Sequence, residues 1–402
     1  MVIIRDLDCG SVYVRLLWNR NGCVLLVKFN KPATFREALS DIEICLNSAQ
    51  TGGGGPYTAQ CERLLENLYG APVLLVHSAT AALEMSAMLI DIKPGDEVII
   101  PAYTFVSTAN AFALRGAKIR FADIDQFGNL SVDEVFRLRS DRTRAVIAVH
   151  YGGSSADMHK LAAACRELNV DLIEDAAQSI CSTSNGIQLG TFGRLACVSF
   201  HETKNISCGE GGGLIVNDRR LWERARIIRD KGTNRAEFID GKIDKYTWVD
   251  IGSSYPPSEL NAALLLSQLR RAEEITRKRK QLWSRYECEL SGKVESRGCR
   301  VLAAPEHAIS NGHCFAIIMA SNGMRSEFIA YMKSRAISVA FHYVPLHSSP
   351  YGKRFHTNDD PSLPNAERFG ACLVRLPIYY DMTDDEQSRV IGSVLDWVSL
   401  ST

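Results

Sequence analysis

The sequence predicts an α/β protein, with a large, mostly parallel sheet covered by helices and a smaller C-terminal α+β domain. Three observations carry this. Short apolar runs alternate with helical stretches through residue 200, the pattern of strands joined by helical crossovers. Two further apolar runs, Leu195–Phe200 and Gly213–Val216, enclose a polar segment with one lysine, Lys204, and a turn with four glycines in five residues. A long amphipathic stretch, 258–290, then leads to strands expected near 314–319 and 337–342. The chain accordingly divides into an N-terminal extension (1–27), a large α/β domain (28–257), and a linking helix with a small C-terminal domain (258–402).

With 402 residues and a hydrophobic share of 46%, the chain can bury a large core. Its 46 lysines and arginines balance 46 aspartates and glutamates, so no net field draws it to nucleic acid or to an anionic membrane. An anionic substrate must be held by local groups. Twelve cysteines are scattered without CxxC or Cys/His ligand spacing, and Cys165, Cys197 and Cys372 sit in apolar or helical surroundings. That usage fits reduced thiols in a cytoplasm. No apolar run approaches the length of a membrane span. In residues 1–27 the apolar residues are interrupted by Arg15 and by Asn19, Arg20 and Asn21, and CVLLV is only five residues long, so the segment is expected to be an extension and not a secretory signal.

Taken in order, residues 34–49 have helical spacing at Leu39, Ile42, Cys45 and Leu46, with Thr34 as the expected cap. TGGGGP (51–56) ends that helix and reads as a flexible linker. A helix at 57–69 leads into the strand VLLV (73–76) and a helix starting around Ser78, Ala79 and Thr80. Backbone N–H groups there suit an anion such as a phosphate; alternatively Ser78 or Thr80 only caps the helix. The strand Glu97–Ile100 opens onto a loop whose Tyr103 and Phe105 are core fillers or ligand-facing rings. AKIRFADID and RAVIAVHY supply further strands, the second ending at His150, where substrates or cofactors collect. Residues 219–235 are expected to form one exposed helix whose charges, from Arg219 to Arg226, make a solvated face. Ser258 is the expected N-cap of a single long helix over 258–290. FHYVPLH (341–347) ends the last strand and directs His342, Tyr343 and His347 toward the cleft between domains. No clustered carboxylate or thiolate accompanies those histidines, so no metal site is expected.

The chemistry concentrates at two places. Burial of Lys204 between strands disfavours its ammonium, and a neutral amine is a nucleophile that forms a Schiff base with an aldehyde. A surface hairpin with its lysine in water is the alternative. Upstream, the strand VDLI runs into Glu174, Asp175 and Gln178, beyond the carboxyl end of a strand where ligands of open α/β sheets sit. A carboxylate there can pair with a protonated pyridine nitrogen; it can also bind a metal or cap the next helix. A strand-end aspartate followed by a lysine on a later loop is the pair that a pyridoxal phosphate enzyme needs.

EDAAQS, SFHETKN and GEGGG, in that order, resemble the DegT/DnrJ/StrS family of sugar aminotransferases, and the resemblance runs from about Phe29 to about Trp397. It implies a fold-type-I pyridoxal phosphate enzyme that acts on a nucleotide-linked keto sugar with glutamate as amino donor. Lys204 would bear the cofactor, Asp175 would partner its pyridine nitrogen, Gln178 would lie beside its phenolic oxygen and Phe105 against its ring. Ser78, Ala79, Thr80 and Ser199 would surround its phosphate. His150, His342 and Tyr343 are substrate-side candidates, and the TGGGGP loop would lie near the site. The family also implies a homodimer with shared sites, in which the partner chain supplies a phosphate ligand; here Ser254 of GSSYPP stands where the family carries asparagine. KGTNR (231–235), DKYTWVDIGSSY (244–255) and FHYVPLH are similar to the branch that makes dTDP-4-amino-4,6-dideoxygalactose from dTDP-4-keto-6-deoxyglucose for lipopolysaccharide or enterobacterial common antigen. The rival readings are another nucleotide-sugar aminotransferase, a sugar 3-dehydratase and a cofactor-free binding or regulatory protein. Lys204 argues against the dehydratase, which has histidine at that place. A nucleotide-binding role for GEGGG is weak, because those glycines precede a strand and a phosphate loop precedes a helix.

Overall fold

The computed structural model describes residues 3–8, 13–19, 22–356 and 360–400. Strands β1 (Ile3–Asp8), β2 (Tyr13–Asn19) and β3 (Gly22–Leu25) pair into an antiparallel sheet of their own. Just beyond it, Val27 is buried among C-terminal residues and bridges Ile337. Helix α1 (Glu37–Asn47) begins later than expected and has no side-chain cap, so Thr34 does not serve as one. Helix α2 (Pro56–Tyr69) starts on Pro56, where a missing N–H costs nothing. The Glu259 carboxylate accepts the N–H groups of Gly55, Tyr57 and Thr58, which ties the glycine loop down.

Strand and helix then alternate as expected: β4 (Val73–Val76), α3 (Ala79–Leu89), β5 (Glu97–Pro101), α4 (Val106–Ala113), β6 (Lys118–Ala122), α5 (Val132–Leu138), β7 (Thr143–Val149), α6 (Met158–Glu167) and β8 (Asp171–Asp175). Two short strands, β9 (Thr183–Ser184) and β10 (Ile187–Gln188), precede β11 (Leu195–Ser199) and β12 (Gly212–Val216). The seven-stranded sheet has the order β4-β12-β11-β8-β7-β5-β6. Its inner strands are apolar on both faces because helices cover both. All strands run parallel except β12, which is antiparallel to both β4 and β11. That reversal sets Gly212 opposite Ser199 on one side and Val76 on the other, at the carboxyl edge of the parallel strands.

Two long helices expected from sequence are each broken. Residues 219–235 form a short turn, then α7 (Trp222–Arg229), then α8 (Arg235–Ile239). The break falls where Lys231 and Gly232 take φ of 64° and 74°. The charges are not a simple solvated face either: Arg226 pairs with Asp240, Arg224 with Asp91 and Asp250, and Arg229 with Glu62. Residues 258–290 form α9 (Glu259–Leu269), capped by Ser258 as expected, and α10 (Ala272–Leu290). The two serve different cores, since Leu265 and Leu266 pack on the central sheet whereas Leu282, Tyr286 and Leu290 pack in the C-terminal cluster.

That C-terminal cluster is organised on the antiparallel sheet β13 (Arg300–Val301), β15 (Phe315–Ile318) and β16 (Leu373–Leu376), while β14 (Ala308–Ile309) pairs with β9. Helices α11 (Asn322–Ser334), α12 (Pro364–Cys372) and α13 (Asp384–Ser399) pack around it, the last opened by a Thr383–Glu386 capping box. The strand expected at 337–342 is absent. Ile337 and Ala340 make only single bridges, to Val27 and Arg375, and the chain then turns toward the central sheet.

Candidate active site

The carboxyl edge of the sheet and the C-terminal sheet enclose a cleft of about 520 Å³. Lys204, Asp175, Gln178, Ser78, Ala79, Thr80, Phe105, Ser199, His342 and Tyr343 all line it. His150 and Ser254 do not.

Asp175 ends β8 and is held from three directions. Thr108 Oγ1 donates to Oδ2 at 2.7 Å, the Ala177 N–H donates to Oδ1 at 3.2 Å, and Cys197 Sγ lies 3.5 Å from Oδ1. Glu174, one residue earlier, faces away. Its carboxylate accepts the N–H groups of Gly190, Phe192 and Gly193 and meets His150 Nε2 at 2.8 Å. This corrects the expectation for His150: it is a fully buried partner of Glu174 below the cleft, not a group facing substrate.

Lys204 sits on the turn between β11 and β12, and its amine has no hydrogen-bond or ion-pair partner among the described residues. Burial lowers its pKa to about 8; the Asp175 charge opposes that shift and the Arg375 charge adds to it. The amine is therefore about half neutral near pH 8, where an ordinary lysine is almost wholly charged. This is what a Schiff-base lysine needs.

At the other end, Ser78 Oγ caps α3 by accepting the Ala81 N–H at 3.1 Å, while the N–H groups of Ala79 and Thr80 have no acceptor among the described residues. The cap is thus present, and two N–H groups beside it are left open to an anion. A Cβ on Gly212 would overlap the Ser78–Ala79 peptide, so the strand can approach the helix start only as glycine. Ser199 lines the same end.

The loop 341–347 closes the cleft. Gln178 Nε2 donates to Tyr343 Oη and its Oε1 accepts the Gly152 N–H, both at 2.7 Å. His342 Nδ1 meets Tyr151 Oη at 2.7 Å, and its ring stacks on Tyr343 with centroids 3.7 Å apart. Burial, then the charges of Arg375, His313 and Lys204, push the His342 pKa well below its usual value. Phe105 is exposed at the cleft mouth, 6.2 Å from the Tyr343 ring. His347 lies elsewhere, beside Glu367 and Phe121. Ser254 is exposed and bridges Asp230, near the exposed side chains of Trp248 and Ile251.

Sequence reasoning passed over three cleft groups. His313 Nδ1 donates to Asn205 Oδ1, whose amide in turn donates to Asn311 O, leaving a neutral ring with Nε2 as an acceptor. Arg279 and Arg375 bring two guanidinium groups. The signal for Arg375 was there to read: a lone charge inside the apolar strand LVRL. Among the described residues no group of three or more His, Cys, Asp or Glu side chains could hold a metal ion. No helix there is long and apolar enough to cross a membrane.

These residues fit pyridoxal phosphate: a partnerless amine, a positioned carboxylate and an N–H cradle shaped by a glycine line one cavity. Comparison with known proteins agrees. A model of the DegT/DnrJ/EryC1/StrS aminotransferase family matches residues 33–395. The chain is 30% identical over 381 residues to the spore coat polysaccharide biosynthesis protein SpsC of Bacillus subtilis, covering 92% of this chain and 96% of that one. It is 31% identical over 347 residues to dTDP-4-dehydro-2,3,6-trideoxy-D-glucose 4-aminotransferase of Saccharopolyspora spinosa, covering 84% and 88%. Among solved structures, the aminotransferase TlmJ of Streptoalloteichus hindustanus superposes with a TM-score of 0.84 at 29% identity over 94% of this chain and all of that one. The chain belongs to the DegT/DnrJ/EryC1/StrS family and is a pyridoxal-phosphate-dependent sugar aminotransferase.

Proposed function

We propose that the protein transfers an amino group from glutamate to a nucleotide-linked keto sugar, and that this sugar is dTDP-4-keto-6-deoxyglucose, giving dTDP-4-amino-4,6-dideoxygalactose. The juxtaposition of Lys204 and Asp175 in one cleft carries the reaction type. The sugar rests on the sequence similarity of residues 231–235, 244–255 and 341–347 to that branch. The dTDP part is supported by the 31% identical relative, which is named for a dTDP-linked sugar.

When bound, pyridoxal phosphate supplies an electron-withdrawing ring and stores the amino group between the two halves of the exchange. The chain's residues do the rest. The N–H groups of Ala79 and Thr80, with Ser78 and Ser199, hold the phosphate. Asp175 would keep a proton on the pyridine nitrogen through a charge-assisted hydrogen bond, its orientation fixed by Thr108. Lys204 Nζ, poised near pH 8, accepts and returns a proton close to neutral pH. Tyr343 and His342 orient the sugar from the C-terminal side. Gln178 is engaged at both ends of its amide, so it would dock the 341–347 loop against the cleft, on the side where the family resemblance implies the cofactor's phenolic oxygen would lie. The same reading makes the protein a cytoplasmic homodimer, with Ser254 entering the partner's site from an exposed apolar segment.

A coupled assay with glutamate and a panel of nucleotide keto sugars, with product stereochemistry by NMR, tests this. Amination of the 4-keto-6-deoxyglucose nucleotide to an axial amine is expected. Turnover of a different keto sugar would replace the substrate, and turnover of none would remove the reading.

A further inference from the structure

The cleft contains two guanidinium groups in different situations. Arg279 is occupied by backbone: its Nε donates to Gly312 O at 3.2 Å and its Nη2 to His313 O at 2.7 Å. Arg375, on β16, donates only Nη2, to Phe341 O at 3.0 Å. Its Nε is buried without a partner, and no carboxylate pairs with it among the described residues. The Phe29 ring lies 4.8 Å from the guanidinium carbon, so one face of the group is already fixed. Its charge is felt by Lys204, His313 and His342 alike, so it belongs electrically to the reacting end of the cleft. The one buried carboxylate there, Asp175, is committed to Thr108 and Ala177.

A fixed, planar cation with unused donors matches a planar carboxylate in a two-point hydrogen bond. The guanidinium is half-buried at the cleft wall, and leaving its buried Nε unmatched is costly, which argues for a ligand that supplies acceptors. The two substrates of an aminotransferase differ at this point. An amino acid and its 2-oxo acid carry a carboxylate on the reacting carbon. A keto sugar carries none there, because its negative charge lies on the remote diphosphate. We propose that Arg375 recognises the carboxylate of the amino donor and of the 2-oxo acid it becomes; this rests on the aminotransferase reading above. Arg375 is then the group that admits amino acids to a cleft otherwise shaped for a sugar.

The test separates the two half-reactions of the holoenzyme. In Arg375→Gln, single-turnover spectroscopy with glutamate should show an apparent Kd raised roughly tenfold to a hundredfold, as expected for losing charged hydrogen bonds. Starting from the amine form of the cofactor, the apparent Kd for the nucleotide keto sugar should stay within about twofold of wild type, even where the rate shifts with pH because Arg375 also lowers the Lys204 pKa. Arg375→Lys, which keeps charge but loses the planar fork, should fall between. Equilibrium binding of maleate, a dicarboxylate that cannot react, should weaken by a similar factor when followed by holoenzyme absorbance. Equal losses in both half-reactions would make Arg375 merely structural and overturn the proposal. A loss confined to the sugar half would assign it to the diphosphate and overturn it too. A wild-type protein that bound maleate through Arg375 but converted no amino acid would instead sink the aminotransferase reading and leave the carboxylate site standing.

Discussion

Lys204 shows how a functional side chain works against the fold that holds it. Its pKa of about 8 lies below that of a lysine in the unfolded chain, so the folded state binds its proton less well. Below pH 8 both states are protonated and the cost is complete. Between pH 8 and about 10.5 only the unfolded lysine keeps its proton, so stability rises with pH and the cost fades. Lys204→Met should therefore raise the melting temperature of the cofactor-free protein at pH 7, with a gain that shrinks toward pH 10. A gain independent of pH would point to packing instead. For the same reason, the rate of cofactor uptake by the unloaded wild type should climb through pH 8. Asp175→Asn keeps size and loses charge; it should slow the glutamate half-reaction by about a hundredfold, or roughly 3 kcal/mol, while retaining cofactor. Normal conversion by that variant would dismiss Asp175, and Glu174 could not replace it, being tied to three backbone N–H groups and His150. Lys204 and Asp175 were legible because strand ends announce themselves in sequence. His313 carried no such signal, and the lone charge of LVRL marks Arg375 as unusual without saying that a residue more than a hundred positions from Lys204 shares its cavity.

At the scale of elements, alternation of apolar runs gave the parallel strands nearly to the residue, because each must be apolar on both faces. Helix continuity was harder to read. Periodicity runs straight through Arg270 and Arg271, yet the chain turns there because its two halves serve different cores. The turn into α3 depends on Gly212 lying flat against the Ser78–Ala79 peptide. Gly212→Ala should displace that helix start, at an overpacking cost of about 1–3 kcal/mol. Equilibrium dialysis should show weakened retention of pyridoxal phosphate, with far-UV circular dichroism unchanged. Retention equal to wild type would mean that the phosphate is not held at this turn.

For the whole molecule, the shared-site proposal has an arithmetic signature. If Ser254 serves the partner's cofactor, Lys204→Ala and Ser254→Asp subunits are each defective alone. Mixed one to one and allowed to exchange, half of the dimers are hybrids with one sound site each, restoring roughly a quarter of wild-type activity. No recovery, or a fully active monomer by sedimentation, would reject the arrangement. The place of β12 in the sheet has another consequence, concerning the order in which the protein can be made. Strand β4 is the first of the central sheet to leave the ribosome, but among the described residues its only strand partner is β12. Residues 73–76 must therefore wait, apolar and unpaired, until residues 212–216 have been synthesised. The phosphate cradle and the lysine turn consequently arrive together, as the last stitch of the sheet, so a nascent chain cut short before residue 212 carries Lys204 without the closed pocket around it. The C-terminal wall of the cleft, with His313, His342, Tyr343 and Arg375, is made later still and can close only over a sheet that β12 has already completed.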